Sequence, residues 1–385
     1  MPVMHKIPAG RLVAGDFIGS IHPHHMVYFL CNVGDGDAQL LLLPEDPRTH
    51  GRQAIIIDAG RVDKIPWLVA DLVSRHLLPD TPAPHDDEDY PVPDGSIPLV
   101  VATHPHADHI GGMREVLREL RHRITEFWDP GYYHPIASYL DMMAEVEDNP
   151  HLLYAQPTSG CRKWIGDVVL TVMSPAIQLK NRFDTYGTGI NDSSISLHVA
   201  YPAARVVERG AERELIDDPT TMTLVLGADA QTLSWSYLLT DFPELPRSDT
   251  AAARAIKAAT GGDLLRSDVM KISHHCSKRG VNLELMERIE PRVTLVSSTA
   301  GGGKHRFPHD VSQEIIREAL DPVAKSGREH KKDWELRIFY TSDRDDNDAA
   351  LGSIALVMCA SRIVLWRFGD DSSDRLQFEN ARRLS

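Results

Sequence analysis

The sequence of 385 residues predicts an α/β protein, and three observations carry that expectation. Apolar runs of strand length recur in both halves of the chain, among them 53–58, 97–103, 222–226 and 269–273. Segments with helical spacing alternate with them, as where Ile110, Met113, Val116, Leu117 and Leu120 follow the run at 97–103. Hydrophobic residues make up 42% of the chain, enough for a sizeable core. Strands interleaved with helices imply helices layered on sheet.

In chain order, strands are expected at 27–33, 38–43 and 53–58, followed by an amphipathic helix at 64–78. The stretch 79–96 is rich in proline and aspartate and reads as an exposed insertion loop before the strand at 97–103. A strand and turn fall at 124–134, where Phe127-Trp128-Asp129-Pro130-Gly131 ends in a turn signal, and a helix at 136–147. Strands at 167–174 and 194–201 precede a charged segment, 205–220, that projects outward. The buried strand 222–226 leads to Asp229, and 241–262 reads as an insertion with a short alanine-rich helix. Strands at 269–273, 292–297, 335–340, 354–359 and 363–368 complete the set, with a helix at 313–320. This divides the chain into an N-terminal extension, 1–26, a domain at 27–368 with insertions near 79–96, 203–220 and 241–262, and a tail at 369–385.

Composition excludes several classes. The balance of 41 basic and 55 acidic residues, net −14, argues against a broad phosphate-binding surface. Arg114, Arg118, Arg121, His122 and Arg123 form a local basic stretch, read as the solvated face of a helix rather than a substrate-guiding patch. The four cysteines are scattered without a Cys-x-x-Cys pair, which fits a reduced, cytoplasmic chain. Met1 to Ile18 has no apolar signal-like core, and no run approaches the length that spans a bilayer, so no membrane association is expected. Neither a Gly-x-Ser-x-Gly elbow nor a Walker loop is present.

The chemistry concentrates in Thr103-His104-Pro105-His106-Ala107-Asp108-His109-Ile110-Gly111-Gly112. Histidine and aspartate are costly to desolvate unless something satisfies them, and a metal does so. A strand ending at Thr103 delivers His104 and His106 two residues apart, so both rings project the same way. Asp108 and His109 then sit on the turn into a helix, and Gly111-Gly112 lets the backbone turn tightly beneath them. Two imidazoles can hold one ion while Asp108 and His109 hold a second. Ions about 3.5 to 4 Å apart generate hydroxide near neutral pH and clamp a phosphoryl or acyl oxygen.

This block resembles the signature of the metallo-β-lactamase superfamily, His-x-His-x-Asp-His after a buried strand. Residues 32–43 and 55–60 are similar to the opening of the soluble hydrolase domain of the ComEC family of DNA-uptake proteins. Asn191-Asp192-Ser193-Ser194, Leu224 to Ala230 and Lys271-Ile272-Ser273-His274-His275-Cys276-Ser277 are similar to that family's later blocks, in the same order. The resemblance spans roughly residues 27 to 368. It implies a metallo-β-lactamase-like four-layer αββα sandwich with loop insertions, holding two divalent metal ions, zinc or manganese. It also implies phosphodiester cleavage by metal-activated hydroxide, with DNA or a small nucleotide-derived molecule as substrate. An acyl hydrolase acting on a thioester, lactone or lactam would keep the same centre, and a non-catalytic binding module would lose it.

By that resemblance the metal ligands are His104, His106, Asp108, His109, Asp229, His274 and His309, and the catalytic groups are Asp108 and His275. Asp229 bridges the ions in this reading, although Gly-Ala-Asp stands where Gly-Asp is usual; alternatively it caps a helix starting at Ala230. On an extended chain His274 and His275 point in opposite directions, so one ligates and the other orients a ligand or touches substrate. His305 rivals His309, and Lys304, His305 and Arg306 could instead hold a substrate anion. Asp58 orients the ligands or is a strand-end turn, Asn191 stands where many superfamily members carry a histidine, and Cys276 is a packed small side chain. His22, His24 and His25 have no nearby acidic partner in sequence and read as surface residues.

Overall fold

The computed structural model describes residues 6–82, 91–183, 189–202, 205–209, 212–216, 221–245, 248, 250–260, 263–320, 337–360 and 362–384. Two mixed sheets dominate it. The first has ten strands in the order Leu12–Ala14, Arg382–Leu384, Arg362–Arg367, Ile354–Cys359, Met26–Leu30, Ala38–Leu42, Ala54–Ala59, Leu99–Val101, Glu126–Trp128 and Leu153–Ala155. The second has seven, in the order Ile338–Tyr340, Val293–Val296, Val269–Lys271, Met222–Leu226, Ser196–Tyr201, Val168–Ser174 and Arg162–Ile165. Each sheet is parallel in one part and antiparallel in the rest.

The alternation of side chains explains why these strands read as unbroken apolar runs. Leu41, Ile55, Ile57, Leu99 and Val101 face the second sheet and pack with its Leu170, Leu197, Leu224, Leu226 and Leu295. Their neighbours Leu40, Leu42, Ile56 and Val100 face the other way, onto Leu68, Leu72, Val116 and Met142 of helices Lys64–Ser74, Met113–Glu119 and Ala137–Asp148. On the far side Val225, Met270 and Val296 pack on Trp235, Leu285 and Ile316 of helices Thr232–Asp241, Leu283–Ile289 and Asp310–Leu320. Strands buried on both faces need apolar residues at every position. The result is a four-layer αββα sandwich, as expected.

Differences from the expectation are local. The strand expected at 97–103 is regular only over Leu99–Val101, because the chain turns away to deliver the histidines. Helices Thr232–Asp241 and Leu283–Ile289 and strands Leu153–Ala155 and Arg162–Ile165 carry weak periodicity and were not expected. Segment 205–220 holds a hairpin of Arg205–Arg209 with Glu212–Ile216, and the short alanine-rich helix is Ala251–Thr260. Parts of the expected insertions and of the strand at 335–340 lie outside the described residues. No helix among the described residues is long and apolar enough to cross a membrane, and all four cysteines are free.

Residues from the expected extension and tail meet at one sheet edge, where Leu12–Ala14 pairs with Arg382–Leu384. The tail also contributes Asp370, whose carboxylate accepts from Lys64 Nζ at 2.7 Å, Ser353 N at 2.7 Å and Ser353 Oγ at 2.7 Å, all buried. Asp370→Ala strips the buried Lys64 ammonium of its counter-charge, and a loss of about 3 to 5 kcal/mol is expected in urea unfolding. An unchanged midpoint would mean that the carbonyls of Asp371 and Asp374, which Lys64 also reaches, suffice.

Candidate metal centre

The titratable residues gather at one edge of the sandwich, beyond the C-terminal ends of parallel strands from both sheets. Chain exits from such strand ends face a crevice rather than the core. Ala54–Ala59 supplies Asp58, Leu99–Val101 leads to His104, His106, Asp108 and His109, Met222–Leu226 leads to Asp229, and Val269–Lys271 leads to His274 and His275. The approach is close enough to demand glycine. A side chain at Gly60 would lie 2.0 Å from the Asp108 carbonyl, and one at Gly112 would lie 2.2 Å from the Arg61 carbonyl.

Two groups of ligand-type atoms result, His104 with His106 and Asp229, and Asp108 with His109 and His275. Asp229 stands between them. Its Oδ2 is 3.6 Å from His104 Nε2, while its Oδ1 is 3.2 Å from His109 Nε2 and 3.7 Å from His275 Nε2. Asp108 closes the second group, with Oδ2 3.5 Å from His275 Nε2, and its side chain is 41% exposed at the mouth. The extra Ala228 is accommodated by a left-handed backbone, φ 45°.

Hydrogen bonding sets which ring nitrogen of each histidine is free. Asp58 accepts from Thr103 N and Oγ1, each at 2.7 Å, and from His109 Nδ1 at 2.7 Å, so His109 turns a bare Nε2 inward. These bonds are what the ligand-orienting reading of Asp58 calls for. The Ser297 carbonyl, which only accepts, lies 3.1 Å from His275 Nδ1 and leaves His275 Nε2 bare in the same way. His104 Nε2 faces His106 Nδ1 at 3.1 Å, close enough for both nitrogens to reach one ion. His109 Nε2, His275 Nε2 and Asp229 Oδ1 are all buried without a hydrogen-bond partner. Buried orphans of this kind are rare unless an ion satisfies them.

The electrostatics agree with a site built for positive charge. Burial alone would depress His109, but Asp229 and Asp58 outweigh it and hold the ring well above its ordinary value. Burial pushes the Asp229 carboxyl up, yet His109, His275 and His274 bring it well below the usual carboxylate range. Burial lowers His104 and His106, which keeps both imidazoles neutral and able to ligate.

Two of the expected ligands fall outside these two groups. His309 is in neither group; its Nδ1 accepts the Lys278 amide at 2.9 Å. His274, expected as the ligand, lies outside both groups with its side chain 17% exposed. Its Nδ1 lies 2.9 Å from the Gln231 amide nitrogen, and its Nε2 is 3.7 Å from Asp229 Oδ2. His275, expected on the substrate side, holds the inner position. The pair does not lie on an extended chain: φ is 50° at His274, 51° at His275 and 64° at Cys276. Cys276 is buried among apolar side chains, as expected. His305 is exposed and stacks on Phe307, and Asn191 Nδ2 is 3.4 Å from the His274 ring.

Asp37 was not recognised in the sequence. It is fully buried behind His109 and His275, accepts from Ser297 Oγ at 2.6 Å, and pairs with the buried Lys271. Burial raises its carboxyl, but Lys271, His109 and His275 together hold it below its ordinary value. The ion pair joins a loop of the first sheet to a strand of the second directly beneath the site. Lys271 interrupting the apolar strand 269–273 was the available signal, since a lysine there requires a buried partner.

No protein-family model matches the chain, and no curated protein matches it. Among solved structures, the metallo-β-lactamase fold protein YhfI from Bacillus subtilis is 10% identical over 77% of this chain and 94% of its own, with a TM-score of 0.38. The diiron β-hydroxylase CmlA from Streptomyces venezuelae is 12% identical over 80% of this chain and 52% of its own, TM-score 0.36. A long form RNase Z from yeast is 11% identical over 75% of this chain, TM-score 0.36, and the chain spans only 40% of that protein. The strand order, the four layers and the His-x-His-x-Asp-His loop at the sandwich edge give this chain an α/β, metallo-β-lactamase-like fold.

Proposed function

We propose that the protein is a metal-dependent hydrolase with a dinuclear centre, acting on phosphodiesters. The observation that carries the reading is the convergence of His109 Nε2 and His275 Nε2 on Asp229 Oδ1, at 3.2 and 3.7 Å, in a buried site. His104, His106 and Asp229 would hold one ion, and Asp108, His109, His275 and Asp229 the other. The imidazole and carboxylate donor set suits zinc, with manganese as the alternative. Two such ions supply a hydroxide nucleophile near neutral pH and stabilise charge on a phosphoryl or acyl oxygen.

The chain's own groups do the rest. Asp58 and Ser297 fix the inner histidines, so their bare nitrogens need no reorganisation. His274, partly exposed beside the buried Asp229, is placed to contact a substrate at the edge of the site. The phosphodiester preference rests on the ComEC-like blocks, which meet at this one site, and on its rim. Lys278, Arg279, Lys304, His305 and Arg306 are exposed on the two loops around Phe307, whose ring is 5.2 Å from that of His274. In a chain of net charge −14, this local excess of positive charge suits a small or single-stranded anion better than a long duplex.

The test is a substrate panel on protein loaded with zinc or manganese. Metal-dependent cleavage of bis-p-nitrophenyl phosphate is expected, with short single-stranded DNA cut faster than duplex and duplex binding weak and salt-sensitive. Hydrolysis of a lactam or thioester without phosphodiester turnover would replace this reading with an acyl hydrolase. Protein that takes up no metal would leave only a binding module.

A further inference from the structure

We propose a second, separate metal site, for a single zinc ion, formed by His24, His25 and Cys359 on the side of the first sheet. The ligand atoms of these three residues lie within 4.8 Å of one another. Sheet register produces the cluster: Met358 pairs with Met26 across the antiparallel strands, which places Cys359 at the end of its strand beside His25. Residues more than 330 positions apart are thereby joined, which no local spacing in the sequence reveals.

The loop that carries the histidines is held from every side. The buried Arg52 donates to the carbonyls of His22 at 2.6 Å, His25 at 2.9 Å and Leu43 at 2.9 Å. Tyr201 Oη donates to the His24 carbonyl at 2.9 Å, and Glu45 N donates to that of Pro23 at 2.8 Å. Every carbonyl from His22 to His25 is thus occupied, and the rings are presented on a fixed backbone. A site whose supporting contacts are already made loses little freedom on binding. His25 Nδ1 lies 3.1 Å from both the Ser20 carbonyl and the His22 amide; donation to the carbonyl is the tautomer that leaves Nε2 bare for a ligand, and it is the one the proposed ion requires.

The donor set selects the ion. One thiolate and two imidazoles match zinc, with bonds of about 2.0 to 2.3 Å, and disfavour manganese and magnesium. The His22 ring is centred 5.0 Å from that of His25, so the fourth position falls to His22 or to water. Binding releases the Cys359 thiol proton to solvent and needs no redox partner. The bound ion ties the segment before Met26–Leu30 to the end of Ile354–Cys359, far from the mouth of the hydrolytic centre.

Cobalt(II) is the probe, because among the candidate sites formed by the described residues only this one offers sulfur. The protein reconstituted with cobalt should show a thiolate-to-cobalt charge-transfer band in the near ultraviolet. Cys359→Ser should abolish that band, His24→Ala should abolish or strongly weaken it, and each should lower bound zinc by one equivalent. Zinc should also slow the reaction of one thiol with a disulfide reagent, an effect that Cys359→Ser removes. Hydrolytic turnover should be unchanged in both variants, so the result stands apart from the reading of the other centre. Absence of the band in the parent protein, its persistence in Cys359→Ser, or zinc content unaffected by either substitution would overturn the site.

Discussion

Asp229→Asn is expected to cut hydrolytic turnover by about 10³-fold, equivalent to about 4 kcal/mol of transition-state stabilisation. The carboxylate stands between the two groups of donors, with Oδ2 toward His104 and Oδ1 toward His109 and His275. The amide keeps the size but removes the one charge shared by both positions. Bound metal should fall below two equivalents at this centre while circular dichroism and the urea midpoint stay close to those of the parent. Near-normal turnover would show that Asp229 only caps the turn before Thr232–Asp241 and that the ions are held otherwise.

The second large effect separates the adjacent histidines. His275→Ala removes an inner donor whose Nδ1 is anchored on Ser297, so loss of about 10² to 10⁴ in kcat and of at least one metal equivalent is expected. His274→Ala removes a rim group whose ring rests against Gln231, so metal content should hold and the effect should stay within about 10-fold, mainly in KM. Metal analysis and steady-state kinetics on both variants decide the matter. Metal lost from His274→Ala but retained in His275→Ala would restore the assignment expected from sequence.

How much of this was legible in the sequence differs by residue. The strands 38–43, 53–58 and 222–226 were legible because a strand covered on both faces must be apolar throughout, and such runs stand out. The short helix Leu283–Ile289 was not, since at that length its stability comes from docking Leu285 and Met286 into the core rather than from its own periodicity. His104, His106, Asp108 and His109 were legible because four costly polar side chains in six residues have few uses other than a site. Asp58 was recognised only as one of two readings, and the Thr103 and His109 hydrogen bonds decided between them.

By itself, the sequence determined the α/β layering, the strand-to-helix junction that carries the histidines, and the chemical type of the donors. These depend on periodicity and on residue chemistry, both of which are local. Only the tertiary structure decided which nitrogen of each histidine is free. A ring's tautomer follows from the partner of its other nitrogen, and those partners, Asp58 for His109, Ser297 for His275 and Lys278 for His309, come from distant parts of the chain or from a neighbouring loop. The same holds for Asp37 with Lys271, and for Cys359 beside His25. Each pairing is made by strand register and sheet-to-sheet packing, which bring together residues that no spacing in the sequence connects.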